Sequence, residues 1–233
     1  TRYGFTTNTQ DYRRLDVWAR AHGGGFFNLS DPREFTGDRP ETVQAVDLLH
    51  AMIWEDQSTV PAYRRQDFVT GDISLVEDGN HSVIDRFDRL IEGRFGWNIA
   101  PSPVGPYGRS AYSGDDGWGI WRDTRHPEEA WRFVKFLASK RGQEIAARIE
   151  GLAPVRKSAM PYYQELAPHI NLGALFVNMI DPGPPLTTLL VGDVANIANT
   201  LNGALRDVLE YNAKPWQVAA EEIKPVIEGY ARQ

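Results

Sequence analysis

Residues 40–56, PETVQAVDLLHAMIWED, and residues 73–79, ISLVEDG, decide the fold class. In the first stretch Val43, Val46, Leu49, Met52 and Ile53 recur on one face at helical spacing, which predicts an amphipathic helix from Pro40 to Asp56. In the second, Ile73-Ser74-Leu75-Val76 is a short apolar run ending at Asp78-Gly79, which predicts a strand running into a turn. Upstream, Tyr3-Gly4-Phe5 reads as a strand, and a helix from about Gln10 to His22 stops at Gly23-Gly24-Gly25. Downstream, a helix is expected over Ser82 to Leu90 and a strand over Phe95 to Ala100. Pro101-Ser102-Pro103-Val104-Gly105-Pro106 is too proline-rich for either regular element and reads as a crossover.

Further on, Gly114-Asp115-Asp116-Gly117 leads into Trp118-Gly119-Ile120-Trp121, a loop entering a strand. Pro127 opens a helix whose apolar face holds Ala130, Trp131, Val134 and Leu137 and which ends near Gly151. Pro154-Val155-Arg156 reads as extended, and helices are expected over Pro161 to Leu166, Leu186 to Tyr211 and Pro215 to Tyr230. Pro225 should kink or split the last of these. Strands alternating with long helices define an α/β fold.

The 233 residues carry a formal charge of −6, and the only basic clusters are the pairs Arg13-Arg14, Arg64-Arg65 and Lys140-Arg141. That balance argues against a nucleic-acid partner, which needs a basic face. The absence of cysteine excludes disulfides and thiolate metal sites. No apolar run approaches the about 20 residues of a membrane span, and no signal peptide opens the chain. Thr1 rather than Met at the start points to a processed or truncated product. Phosphate-loop, dinucleotide, zinc-protease and nucleophile-elbow motifs are all missing, and the five histidines share no metal-ligand spacing. The adjacent pair Asp115-Asp116 does not suit glycoside hydrolysis, whose two carboxylates face each other across a cleft from separate elements. Seven tryptophans, several among glycines and polar residues, exceed what core packing alone explains.

The landmarks fall in a telling order: Tyr3-Gly4-Phe5; Trp18 before Gly23-Gly24-Gly25-Phe26; Ala45-Val46-Asp47-Leu48-Leu49 with Ile53-Trp54; Ile73 to Gly79; and Pro101 to Pro106. Gly114 to Ile120, Pro127 to Leu137, and Pro154-Val155-Arg156-Lys157-Ser158 complete it. This series resembles the family 1 extracellular solute-binding proteins, the maltose-binding-protein-like receptors of bacterial ABC importers. The resemblance implies a periplasmic-binding-protein-like (type II) fold, in which two α/β lobes close on a ligand around a hinge. Residues 1–105 would form the second lobe, 106–148 a crossover and remnant of the first lobe, and 149–233 a helical return to the second. The family's usual opening segment, which builds most of the first lobe, has no counterpart here.

Sugar receptors hold pyranose faces on flat aromatics and hydroxyls on planar polar groups. Trp18 is a candidate platform or a core residue, and Gly24 in the adjacent triple glycine joins the candidate set. Asn80 and His81 stand where the family commonly places a ligand-contacting aromatic; both are polar, which leaves hydrogen bonding open to them in place of stacking. Asp115, Asp116, Gly117 and Trp118 would lie on the cleft edge of the first lobe, with Arg156 either reaching the cleft or pairing on the surface. Trp54, Trp131 and Trp216 read as packing residues. The resulting expectation is a non-enzymatic receptor without cofactor, located outside the cytoplasm, that binds a carbohydrate and meets ABC permease subunits. The alternatives are a carbohydrate-active hydrolase or lyase, and a truncated fragment with an interaction role.

Overall fold

A computed structural model describes residues 3–77, 83–111, 117–180 and 192–232. In chain order the elements are β1 (Tyr3–Thr7), α1 (Tyr12–Ala21), α2 (Pro40–Trp54), α3 (Arg65–Thr70), β2 (Ile73–Glu77), α4 (Val83–Ile91), β3 (Val104–Gly105) and β4 (Gly108–Arg109). They continue as α5 (Pro127–Leu137), α6 (Lys140–Glu150), α7 (Met160–Gln164), α8 (Leu172–Ile180), α9 (Val194–Leu209) and α10 (Trp216–Ala231). The chain forms two compact units: residues 1–78, 101–113 and 174–233 make the first, and residues 79–100 and 114–173 the second. Residues 79–100 thus group with 114–173 and not with the opening segment.

The first unit is built on a parallel pair. β1 and β2 align with Phe5 opposite Leu75 and Thr7 opposite Glu77, so both strands end together. Over them α1, α2, α9 and α10 enclose an aromatic core. Trp216 is fully buried, meets Phe26 edge-on at 5.8 Å, and donates its indole N–H to the Gly37 carbonyl at 2.9 Å. Tyr12 sets its edge against both Phe26 and Phe27, and Phe27 against Phe35. Edge-to-face pairs of this kind each add about 0.5–1.5 kcal/mol beyond the area they bury.

The triple glycine ends α1 as expected, but Gly25 has a second task. Its φ is +143°, and a Cβ there would lie 2.1 Å from the Arg20 guanidinium carbon. That space admits a buried ion pair: Arg20 bonds Asp16 at 3.2 Å and the Phe27 carbonyl at 2.7 Å, while Asp16 accepts the Phe26 N–H at 2.8 Å. The β3–β4 hairpin closes on the same helix end, with the Tyr107 N–H bonded to the Ala21 carbonyl at 3.0 Å and its ring over Gly23.

The described residues of the second unit are helical and carry no strand. Ile84, Phe87 and Ile91 are buried along α4, and Trp97 stands edge-on between Phe87 and His169. The α6 helix stops at Gly151, which adopts φ +65° against Asp85. Burial, reinforced by the Asp85 carboxylate, pushes the Tyr163 phenol above its ordinary range.

Several local expectations are corrected. Phe95 to Ala100 is not a strand: the Asn98 side chain takes the N–H groups of Ile99 and Asn171, which bends the backbone away from extended pairing. No strand follows Trp118. The helix from Pro127 does not reach Gly151; it breaks into α5 and α6 at Ser139, whose hydroxyl caps the Gly142 N–H at 3.1 Å. Gly142 is needed there, because a Cβ would fall 2.2 Å from the Phe136 carbonyl oxygen. Trp131 is exposed and not packed, with Lys135 over its ring. Trp54 keeps a partly exposed ring but anchors its N–H on the Leu209 carbonyl at 3.0 Å. The last helix runs through Pro225 unbroken: the proline sits on the exposed side, while Trp216, Ala219, Ala220, Ile227 and Ala231 hold the buried side. Helices α3 and α8 carry too little amphipathic signal to be foreseen. The Leu186 to Tyr211 helix is seen as Val194–Leu209; residues 186–191 lie outside the described residues.

Candidate functional site

Ligands of α/β proteins gather at the carboxyl ends of parallel strands, because the loops that leave those ends converge there. Here the ends of β1 and β2 bring Thr7 and Glu77 side by side. The Thr7 hydroxyl and the Trp18 indole N–H, which reaches over from α1, both donate to Glu77 Oε2 at 2.8 Å. Among the described residues, nothing donates to Oε1. Burial pushes the Glu77 carboxyl above its ordinary value; the bonds from Trp18 and Thr7 and the Arg14 charge hold part of that rise back. The half-buried Trp18 ring is tilted by 48° on Phe5, with centroids 5.9 Å apart. Its backbone carbonyl bonds His22 Nδ1 at 2.8 Å.

The loop after β1 is held firmly. Buried Thr9 donates to Glu210 Oε1 at 2.7 Å, Gln10 reaches the same carboxylate, and the Tyr12 N–H bonds Asn202 Oδ1 at 2.7 Å. Asp11 caps α1 by accepting the Arg13 N–H and also pairs with the Arg13 guanidinium at 2.8 Å. The arrangement presents one aromatic, one carboxylate whose second oxygen takes no bond among the described residues, and hydroxyls on a loop fixed by hydrogen bonds. Such groups can orient a polar ligand through hydrogen bonds.

Of the residues expected from sequence, Trp18 takes part in this cluster. Gly24 is half-buried and packs on the start of α2, where a Cβ would meet the Thr42 hydroxyl at 2.5 Å. Gly117 and Trp118 are exposed in the second unit. Arg156, in that unit too, donates to the Ala138 carbonyl at the end of α5. Asn80, His81, Asp115 and Asp116 lie outside the described residues. Glu77 and Thr7 were missed. The available signal was an acidic residue closing an apolar strand, although the partner 70 positions away is set only by register. Among the described residues, no group of three or more His, Cys, Asp or Glu side chains is arranged to hold a metal ion. None of their helices is long and apolar enough to cross a membrane.

A parallel-stranded α/β unit with polar groups at its carboxyl edge offers the usual place for a ligand in such folds. The chain belongs to the bacterial extracellular solute-binding protein family, whose sequence profile matches residues 2–167. No curated protein sequence is significantly similar to it. Among solved structures, maltose-bound MalE3 of T. maritima superposes with a TM-score of 0.75 at 21% identity, over 98% of this chain and 60% of that one. The substrate-binding protein Lmo0181 of Listeria monocytogenes, in complex with cycloalternan, gives 0.78 at 18% identity over 98% and 58%. UgpB of M. tuberculosis, in complex with glycerophosphocholine, gives 0.74 at 16% over 98% and 58%. The fold is therefore the type II periplasmic-binding-protein fold in part: the chain spans about three fifths of the structures it matches.

Proposed function

We propose that this chain is the ligand-holding part of an ABC importer's substrate-binding component and that it reversibly binds a carbohydrate at the carboxyl edge of β1 and β2. The observation that carries the reading is the convergence of Trp18, Thr7 and Glu77. Glu77 Oε1 is open to a sugar hydroxyl, and hydrogen bonds to a carboxylate are among the stronger ones. Trp18 offers an apolar ring beside it. In this reading the first compact unit corresponds to the second lobe and the second unit to a partial first lobe. Closure would deliver the ligand to membrane permease subunits outside the cytoplasm, with no bond made or broken. The sugar-bound state of MalE3 and of Lmo0181 supports the same choice of ligand.

A second reading, a glycerophosphodiester, is favoured by the likeness to UgpB, and the Glu77 carboxylate beside Trp18 suits a quaternary ammonium. The same carboxylate repels the phosphate, which ranks this reading below a neutral sugar. A thermal-shift screen with maltose, maltotriose and glycerophosphocholine tests both. A ligand that binds only the folded chain raises Tm by mass action. A rise with the sugars supports the proposal, a rise with glycerophosphocholine alone replaces it, and no rise with any of them rejects binding by this chain alone.

A further inference from the structure

The β3–β4 hairpin carries an aromatic ring that the first unit holds in place and leaves uncovered. A Cβ on Gly23 would lie 2.9 Å from Cγ and Cδ2 of Tyr107 and 3.0 Å from Cδ1. Near-equal distances to three adjoining ring atoms mean that the ring lies face-down on this glycine, with no room for a side chain beneath it. The hairpin is fixed there by its backbone. The Tyr107 N–H bonds the Ala21 carbonyl at 3.0 Å, and Gly105 packs so closely that a Cβ on it would collide with the same oxygen. Pro106 restricts the turn between them. Yet Tyr107 is 70% exposed, so its other face meets solvent. Core packing does not explain this, because a buried aromatic gains by covering both faces.

The neighbouring side chain adds a polar group. His22 follows the last turn of α1, next to Gly23, and its Nδ1 lies 2.8 Å from the Trp18 carbonyl oxygen. A carbonyl only accepts, so Nδ1 carries the proton and Nε2 of the neutral ring is left as an acceptor. Among the described residues nothing bonds Nε2. Trp18 and His22 stand four residues apart on one face, about 6 Å along the axis. The ring that meets Glu77 is therefore about one helical turn from His22, and His22 adjoins the residue under Tyr107.

We propose that Tyr107 and His22 form a second pyranose subsite, onto which a sugar chain held at Trp18 and Glu77 continues. The inference rests on the reading of the β1–β2 carboxyl edge as a sugar site. The open face of Tyr107 receives the apolar face of the pyranose, and His22 Nε2 accepts a hydroxyl hydrogen. These two groups choose the ligand class together. A purely apolar ligand would cover Nε2 without giving it a donor, and an anion would face its lone pair. A sugar ring supplies both an apolar face and a donor.

Isothermal titration of residues 1–233 with glucose and with maltotriose tests the subsite. The parent should bind maltotriose more tightly than glucose. Tyr107→Ala should bind maltotriose about 5-fold or more weakly and leave glucose unchanged, while Tyr107→Phe should match the parent, since the ring and not the hydroxyl makes the contact. His22→Ala should weaken maltotriose in the same selective way, which keeps the test open if Tyr107→Ala does not fold. Maltotriose affinity unchanged in the folded alanine variants overturns the subsite and leaves the first site standing. Equal losses for glucose and maltotriose also overturn it, because Tyr107 and His22 would then act by holding α1 and not by touching a second ring. Binding of neither sugar by the parent rejects the carbohydrate reading and the subsite with it.

Discussion

The two compact units treat the same kinds of side chain in opposite ways. In the first, Trp216, Phe26, Phe27 and Phe35 are shut away between α1, α2, α9 and α10. In the second, Trp118, Trp121, Trp131, Phe133 and Phe136 face outward. Residue type does not separate the groups, nor does helix quality, since α5 and α10 both begin at a proline-marked turn. What differs is the presence of facing layers: the aromatics of the first unit have apolar faces opposite them, and those of α5 have none among the described residues. Burial is a property of the assembled layers, and a helix meets its partner only if the chain supplies one.

Substitutions in the two units should therefore diverge. The largest contrast is between Trp216→Ala, which should cost about 3–5 kcal/mol through a core cavity and a lost indole bond, and Trp131→Ala, which should stay within about 0.5 kcal/mol. Urea denaturation of both variants checks it, and equal losses would erase the distinction. Next comes the buried pair in the first unit. Arg20→Ala removes the guanidinium from beside buried Asp16 and should destabilise by about 3 kcal/mol or more, whereas removing Arg148, which stacks on Tyr162 at 4.6 Å on the surface of the second unit, should cost about 1 kcal/mol or less. Loss of the Ser139 cap in Ser139→Ala is worth about 1 kcal/mol, read as a lower Tm.

The smallest effect is a pH dependence. A carboxyl with a raised folded pKa keeps its proton in the folded protein where the unfolded chain has lost it, so stability falls as pH rises from the ordinary glutamate range to the folded value of Glu77. Glu77→Gln retains an oxygen to accept from Trp18 and Thr7 and has no proton to lose. Its Tm should therefore lack that decline when melts of the two proteins are compared from mildly acidic to neutral pH. Parallel pH profiles would show that Glu77 is not held as described.

How much of this was legible in the sequence follows from how local each cause is. The α2 helix and the strand ending at Glu77 rest on spacing within a dozen residues, and the stop at Gly23 to Gly25 on backbone freedom; both were readable. Trp18 was readable as a candidate because an aromatic beside a glycine run is visible in one dimension. Glu77 was not, because its meaning depends on Thr7 lying opposite it across a parallel ladder. The break at Ser139 was hidden because Ser139 and Gly142 act through a close approach to the Phe136 carbonyl that only the fold reveals. The outward turn of Trp131 was hidden for another reason: periodicity tells which face of a helix is apolar and says nothing of whether a layer exists to cover it.

The most direct test of the central claim is isothermal titration of residues 1–233 and of Glu77→Gln with maltotriose. If the carboxyl edge of β1 and β2 holds the sugar through Glu77, the parent shows saturable binding and the variant binds about 10-fold or more weakly, the loss expected for a hydrogen bond to a charged group. Binding by the variant as tight as by the parent would contradict the claim.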